Sequence, residues 1–389
     1  MSDLHIYSKS RNYIFYKKQR VIVDINLLLR LMAEKNASDL FFSTGAPPHI
    51  KIEGVSTPIG QGALPSGAIK KIAYSIMNDS QIQEFEETWE SNFAYTSGDI
   101  GRFRVNVFMQ RGEVGMVMRH IKSDIPTIEE LHLPKSIKNL VMERVGLVLI
   151  CGPTGSGKSS TLAAMIEHRN AHDTGHILTI EDPIEFLYEH KKSIIDQREI
   201  GVDTKNYSNA LKNAMREAPD VILIGEIRDT EAMEYALSYA QTGHLCLATI
   251  HGNNAKQVLE RIRNLFPKEM QGHVMTELGS VLRGIVSQRL IRNKEGKRVP
   301  ALEITLAAPE IIEIIQRGNL DQLSKSIASN KMDGMITFDQ SLYDLYTMGE
   351  ISQDMALHYA ESKHDLSLKM RLSGQKTSEG VSNPFKTKL

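Results

Sequence analysis

The run Gly152-Pro-Thr-Gly-Ser-Gly-Lys158-Ser159 sets glycines, a lysine and a hydroxyl in the order that a phosphate-cradling loop requires. Glycine lets successive backbone N–H groups close around an anion, and a helix opening at the lysine adds its positive end. In such a loop Gly152, Pro153, Thr154, Gly155, Ser156 and Gly157 wrap the phosphates. Lys158 reaches the β/γ-phosphates, the Ser159 hydroxyl ligates Mg²⁺, and Ser160 completes the nucleotide-binding positions.

Other chemistry-bearing residues follow apolar runs of strand type. Glu181-Asp182 follow His176-Ile-Leu-Thr-Ile, Glu226 follows Val221-Ile-Leu-Ile-Gly, and His251 follows Leu245-Cys-Leu-Ala-Thr-Ile. In a doubly wound sheet, ligands bind outside the carboxyl ends of the strands, so these positions surround the phosphate loop. Singly, each has another reading. Glu181 or Asp182 can cap the next turn, Glu226 can pair with Arg228, and His251 can be a satisfied strand-end histidine. Together they fit hydrolysis of a γ-phosphate, which needs a positioned water, a metal on the phosphate oxygens and cations for the developing charge. Glu226 stands where a carboxylate that helps hold Mg²⁺ belongs, Glu181 orients or deprotonates the water, and His251 senses or hydrogen-bonds the γ-phosphate. Missing cations must come from arginines.

These residues need a scaffold, and the patterning supplies one. Short continuous apolar runs alternating with helical patterns predict a parallel sheet covered on both faces. From about Pro309 the pattern turns helical. Ahead of it, Asp24 can cap a helix carrying Ile25, Leu28, Leu29 and Met32 at helical spacing. Asp39-Leu-Phe-Phe-Ser and His49-Ile-Lys-Ile-Glu read as strands, and helices are expected near Ile69 to Asn78 and Ser80 to Trp89. Two alternating strands, from Gly101 and from Val114, join around Arg111-Gly112. The expected layout is an extension at 1–23 without fixed structure, a small α+β domain at 24–121 and a linker at 122–134. An α/β nucleotide domain with C-terminal helices at 135–371 follows, then a polar tail at 372–389, also without fixed structure.

Composition removes several alternatives. The 389 residues carry 46 basic and 47 acidic side chains, a net charge of −1, so no global field draws the chain onto nucleic acid or anionic lipid. Its two cysteines, Cys151 and Cys246, lie in apolar runs and read as buried thiols. No apolar stretch approaches the ~18 residues of a membrane span. Lys9, Arg11, Lys17, Lys18 and Arg20 interrupt any signal-peptide pattern, so the cytoplasm is the expected compartment. His168, His172 and His176 repeat at four-residue spacing, but the helix should stop around Asp173 to Gly175, which predicts a solvated helix end rather than a ligand set. Lys191-Lys192 and Lys294 to Arg298 read as solvated turns.

Ala37-Ser-Asp-Leu, the glycine-rich loop, Glu181-Asp-Pro-Ile-Glu185, Gly225-Glu-Ile-Arg-Asp229, Thr242-Gly-His244 and Ala248-Thr-Ile-His251 resemble the secretion ATPase superfamily. More closely, their order and spacing resemble the twitching-motility retraction ATPases of the PilT/PilU type, from about Asp24 to Leu372. The resemblance implies a PAS-like N-terminal domain, a RecA-like P-loop ATPase domain, a ring-shaped homo-hexamer, and ATP with Mg²⁺ as cofactors. It names 152–159 Walker A, Glu181 to Glu185 the Asp box, Gly225-Glu226 Walker B and His251 the His box. It also implies arginines from two N-terminal strands, matched here by Arg104 and Arg119, with Arg102 a weaker candidate. They can equally be solvated strand arginines.

Two departures lean toward the PilU branch. Pro309-Glu-Ile-Ile-Glu-Ile-Ile-Gln-Arg317 replaces an Ala-Ile-Arg-rich helix, and the His box continues as Gly252-Asn-Asn-Ala255 without the usual threonine. Thr337-Phe-Asp-Gln340 fits the same branch. The implied role is an accessory to a PilT-like motor, acting on the inner-membrane pilus platform protein from the cytoplasmic face, with no nucleic acid. Three alternatives remain open. A pilus-assembly or type II secretion ATPase usually carries a four-cysteine zinc insertion, which two cysteines cannot build. A regulatory subunit without turnover is disfavoured by Lys158, Glu181 and Glu226 together, and a DNA translocase by the lack of a basic stripe.

Overall fold

The structure is a computed structural model that describes residues 13–15, 22–52, 54–98, 100–121, 124–330 and 334–374. The expected lack of fixed structure at 1–23 and 372–389 therefore falls largely outside the described residues. Where described, Tyr13–Phe15 pairs antiparallel with Ile22–Asp24, and the last helix, Lys363–Gly374, runs past position 371. The chain divides into two compact units, one reaching Asp124 and including Ile184–Leu187, the other holding the rest.

In the first unit a six-stranded antiparallel sheet is ordered Val55–Pro58, His49–Ile52, Asp39–Phe42, Glu113–Ile121, Gly101–Gln110, Glu90–Ser97. Helices Ile25–Glu34, Ala68–Ile76 and Asp79–Thr88 contribute the rest of its core. Asp24 caps the first helix by accepting from the N–H groups of Asn26 and Leu27. Alternation from Arg102 to Val107 buries Phe103, Val105 and Val107 and puts Arg102, Arg104 and Asn106 on the opposite face. The hairpin closes on Arg111 and Gly112, both at positive φ, the geometry that matches strand twist in a two-residue turn.

The second unit is built on a seven-stranded sheet ordered Ser193–Glu199, Gly175–Glu181, Val221–Ile227, Leu245–Ile250, Gly146–Cys151, Leu282–Arg292, Arg298–Leu306. The first six run parallel. The expected parallel sheet covered on both faces is present, and Arg298–Leu306 adds an antiparallel edge strand that returns along Leu282–Arg292 as a hairpin. Helices cover both faces: Lys135–Val141 and Lys158–His172 on one, and Tyr207–Ala214, Thr230–Gln241, Ala255–Leu265, Lys268–Val281 and Pro309–Arg317 on the other. Ile128 and Leu133, inside the segment read as a linker, are buried beside Ile137, Leu140 and Val148. That segment is thus fixed to the sheet's covering layer by apolar burial.

Helices Phe338–Thr347, Gln353–Tyr359 and Lys363–Gly374 pack on the hairpin through Phe338, Leu342 and Leu366 against Ile291 and Val299. Cys151 and Cys246 are buried in neighbouring strands with their thiols free. Burial pushes the Cys151 thiol up to about 12 and raises that of Cys246 as well.

Candidate active site

The glycine-rich loop joins Gly146–Cys151 to the helix Lys158–His172. Gly152, Gly155 and Gly157 hold φ of +148°, +77° and +88°, a region that L side chains rarely adopt. A Cβ on Gly152 would lie 2.3 Å from the Gln288 carbonyl oxygen and 2.5 Å from Ser156 Oγ, and one on Gly157 would lie 2.9 Å from Gln288 Nε2. The loop therefore rests directly on Gln288, whose side chain accepts from Thr161 Oγ1 at 2.7 Å. Lys158 Nζ donates to the carbonyls of Gly152 (2.9 Å) and Pro153 (3.1 Å), at the loop's entrance. Ser159 and Ser160 stand on the first helical turn beside Thr161. Ser156 Oγ is buried without a hydrogen-bond partner among the described residues. Glycines that only a bare backbone permits, an orphaned hydroxyl and a lysine at the entrance fit a phosphate chain.

The neighbouring strand ends bring the other groups in. Glu226 lies where the pairing of Val221–Ile227 with Leu245–Ile250 shifts register between Ile224 and Ile227. Such a bulge re-aims a side chain at a sheet rim. Glycine fits closely there: a Cβ on Gly225 would come within 3.1 Å of the Ile180 carbonyl and 3.0 Å of the Tyr207 hydroxyl, so those neighbours would have to give by a few tenths of an ångström. Thr249 Oγ1 donates to the Gly225 carbonyl at 2.5 Å, which fixes the bulge against the next strand. Glu226 then accepts from Arg228 Nε at 2.6 Å, and its other carboxylate oxygen lies 2.6 Å from His251 Nε2. Arg228 reaches on to Asp182 at 3.2 Å. Its bond with Glu226 raises the Arg228 pKa still further above its usual value, and burial together with the Asp182 charge raises that of the Tyr207 phenol.

Several of the expected positions thus converge. The expected pairing of Glu226 with Arg228 is present, and His251 lies on the other carboxylate oxygen. His251, Gly152 and Pro153 line one cavity of about 330 Å³ with Gly252, Asn253, Gln257 and Arg261. Glu181 ends its strand, and its carboxylate accepts from Thr179 Oγ1 (2.7 Å) and Gln197 Nε2 (3.4 Å); it does not line that cavity. Arg104 and Arg119 belong to the first unit, where they face each other across paired strands. Arg119 Nε donates to the buried Asp39 at 2.8 Å, whereas Arg104 has no ion pair among the described residues.

Sequence reasoning missed Gln257, Arg261 and Gln288. Asn253, Gln257 and Arg261 recur at four-residue spacing, while Ala255, Val258, Leu259 and Ile262 face the core. That polar stripe was a readable signal of a helix bordering a cleft.

Residues 17–308 match the family model for type II/IV secretion system proteins. The chain belongs to that family. Among its relatives, the type IV pilus ATPase PilU of Pseudomonas aeruginosa is 45% identical over 93% of this chain and 95% of its own length. The type IV pilus retraction ATPase PilT of the same organism is 41% identical over 87% of this chain and 98% of its own. The crystal structure of the pilus retraction motor PilT with bound ADP superposes with a TM-score of 0.83 at 39% identity, covering 89% of this chain and 99% of that one. The type II/IV secretion family fold thus extends over both units. No helix among the described residues is long and apolar enough to cross a membrane.

Proposed function

We propose that this chain is a hexameric, Mg²⁺-dependent ATP-hydrolysing motor of a type IV pilus machine that drives or assists pilus retraction, as a PilU-like accessory to a PilT-like motor. The observation that carries the reading is the meeting of the glycine-rich loop and His251 on one cavity, with His251 Nε2 2.6 Å from the Glu226 carboxylate. Similarity to PilU along nearly the whole chain supports the branch. The motor would act on the inner-membrane pilus platform protein from the cytoplasmic face, and its net charge of −1 gives no support to a nucleic-acid partner.

The proposed division of labour follows from the chemistry of each group. The backbone from Gly152 to Gly157 cradles the phosphates, with Ser160 beside them, and Lys158 leaves the loop carbonyls for the β/γ-phosphates. Ser159 and Glu226 would hold Mg²⁺, which when bound neutralises phosphate charge. Glu181 orients or deprotonates the attacking water, and His251 hydrogen-bonds the γ-phosphate while keeping Glu226 oriented. Arg104 and Arg119 are proposed as the cations that meet the developing charge. Work arises because open and closed domain arrangements bind ATP and ADP with different affinity.

The test is steady-state ATPase activity of the wild type and Glu226→Ala with Mg²⁺, while light scattering records oligomer mass. Turnover from a hexamer that the substitution abolishes supports the motor. A hexamer that binds ATP without turnover refutes it and favours a regulatory subunit.

A further inference from the structure

Arg289 lies on Leu282–Arg292, the strand beside the one that feeds the glycine-rich loop. Its guanidinium joins parts of the chain that are distant in sequence. Nη2 donates to the Asn253 carbonyl at 3.3 Å and to Glu361 Oε1 at 3.2 Å, and Nη1 donates to the Tyr359 carbonyl at 3.4 Å. The guanidinium carbon also lies 4.0 Å from the centroid of the Phe338 ring. The same Glu361 oxygen accepts from Asn254 Nδ2 at 3.0 Å. Asp339 holds Glu361 in place by accepting its backbone N–H at 2.8 Å and that of Ser362 at 2.9 Å.

The loop gripped by this pair is the one that follows His251 and lines the cavity with Gly152 and Pro153. Asn254 uses its carbonyl oxygen to cap the helix Ala255–Leu265, accepting from the Gln257 N–H at 2.9 Å, so its amide is left to reach Glu361. Both partners are well shielded, with side-chain exposures of 22% for Arg289 and 31% for Glu361. A planar guanidinium that is stacked, bonded to carbonyls and paired with a carboxylate has one orientation to adopt, unlike a solvated surface lysine.

We infer that Arg289 and Glu361 are positioning residues for ATP hydrolysis, holding the His251–Asn254 segment at the nucleotide cleft and making the C-terminal helices a structural part of it. The inference rests on the proposed reading of that cleft as the nucleotide site. Neither residue touches the reacting atoms. Their effect is on the geometry of His251, and through it on Glu226, so loosening them slows turnover more than it weakens nucleotide binding.

The test uses the full chain and four variants: Arg289→Lys, Glu361→Gln, their combination, and Lys158→Ala as a check on the cleft. The readouts are kcat, KM for ATP, affinity for a fluorescent ADP analogue, and thermal melting. Each single variant is expected to lower kcat by roughly 10-fold while analogue affinity stays within about threefold. The double variant is expected to be no worse than the weaker single by more than about twofold, because both changes break one unit. Wild-type kcat in the singles, with analogue binding lost in Lys158→Ala, overturns the positioning role and leaves the cleft reading standing. Full analogue binding by Lys158→Ala overturns the cleft reading, and this inference with it. If Arg289→Lys does not fold, Asn254→Ser decides, since it keeps a helix-cap acceptor and removes only the bond to Glu361. Reduced kcat at unchanged melting temperature supports the role, and unchanged kcat sinks it.

Discussion

Glu226 and His251 come from the ends of adjacent parallel strands and meet at 2.6 Å, with Arg228 on the other carboxylate oxygen at the same distance. The carboxylate is thereby oriented from both sides, and Arg228 also bridges it to Asp182. Arg228→Lys keeps the charge but loses the fork, so kcat should fall by roughly 10-fold. Arg228 is 53% exposed, so the melting temperature should barely move. Parallel loss of stability and activity would mean that Arg228 supports folding rather than site geometry.

Glu303 makes a different prediction. It lies buried on the edge strand, accepting from the Ala255 N–H at 2.7 Å and from Ser287 Oγ at 3.2 Å. Burial pushes its carboxyl from 4.5 up to about 7, with Glu361 adding to the rise and the two hydrogen bonds and Arg289 opposing it. Between those values the folded chain keeps a proton that the unfolded chain releases. Its contribution is complete below 4.5 and is lost as pH rises through 7, a change of about 3 kcal/mol. Glu303→Gln keeps a carbonyl acceptor and cannot ionise. It should melt above the wild type at pH about 8 and close to it at pH about 5. An equal gap at both values would assign the titration elsewhere.

Arg104 and Arg119 can be separated by stability. Arg119→Ala strands the buried carboxylate of Asp39, whose remaining side-chain partner is the Ser38 hydroxyl. The cost should be about 1–2 kcal/mol, reduced from a fully buried pair because Arg119 is 65% exposed. Arg104→Ala breaks no ion pair and should melt as the wild type does. Under the proposed cation role, both variants lose turnover. Denaturant unfolding beside ATPase rates checks this, and full activity of Arg104→Ala would remove it from the site.

The glycines of the glycine-rich loop are not equivalent. Gly152→Ala meets the Gln288 carbonyl at 2.3 Å and should abolish nucleotide binding. Gly155 has nothing within 4 Å of its missing Cβ, so Gly155→Ala carries only the backbone cost, about 1–2 kcal/mol. Titration with a fluorescent nucleotide should find weakened but measurable binding for Gly155→Ala and none for Gly152→Ala.

Much of this architecture was readable because local signals agreed with the tertiary structure. The cap at Asp24, the turn at Arg111-Gly112 and the glycine-rich loop all lie where their residue types demand. Four strands of the larger sheet were legible as continuous apolar runs. Ser193–Glu199, Leu282–Arg292 and Arg298–Leu306 were not. The first is an edge strand with charged residues, which blurs its pattern. In the other two, Ser287, Gln288 and Glu303 are buried but satisfied by partners far away in sequence, which no local period reveals. The same blindness hid Gln288 beneath the glycine-rich loop. The segment 122–134 reads as a linker because Pro126 and Pro134 bracket it, a local signal that does not reveal the core into which Ile128 and Leu133 are packed.

The two buried cysteines make the folded chain a quiet background for labelling. Maleimides and disulfide reagents attack thiolates, and neither Cys151 nor Cys246 offers one to solvent near neutral pH. A single cysteine introduced on the surface should therefore take a dye alone. Distance measurements on the active protein can then be made without first replacing a residue that adjoins Gly152.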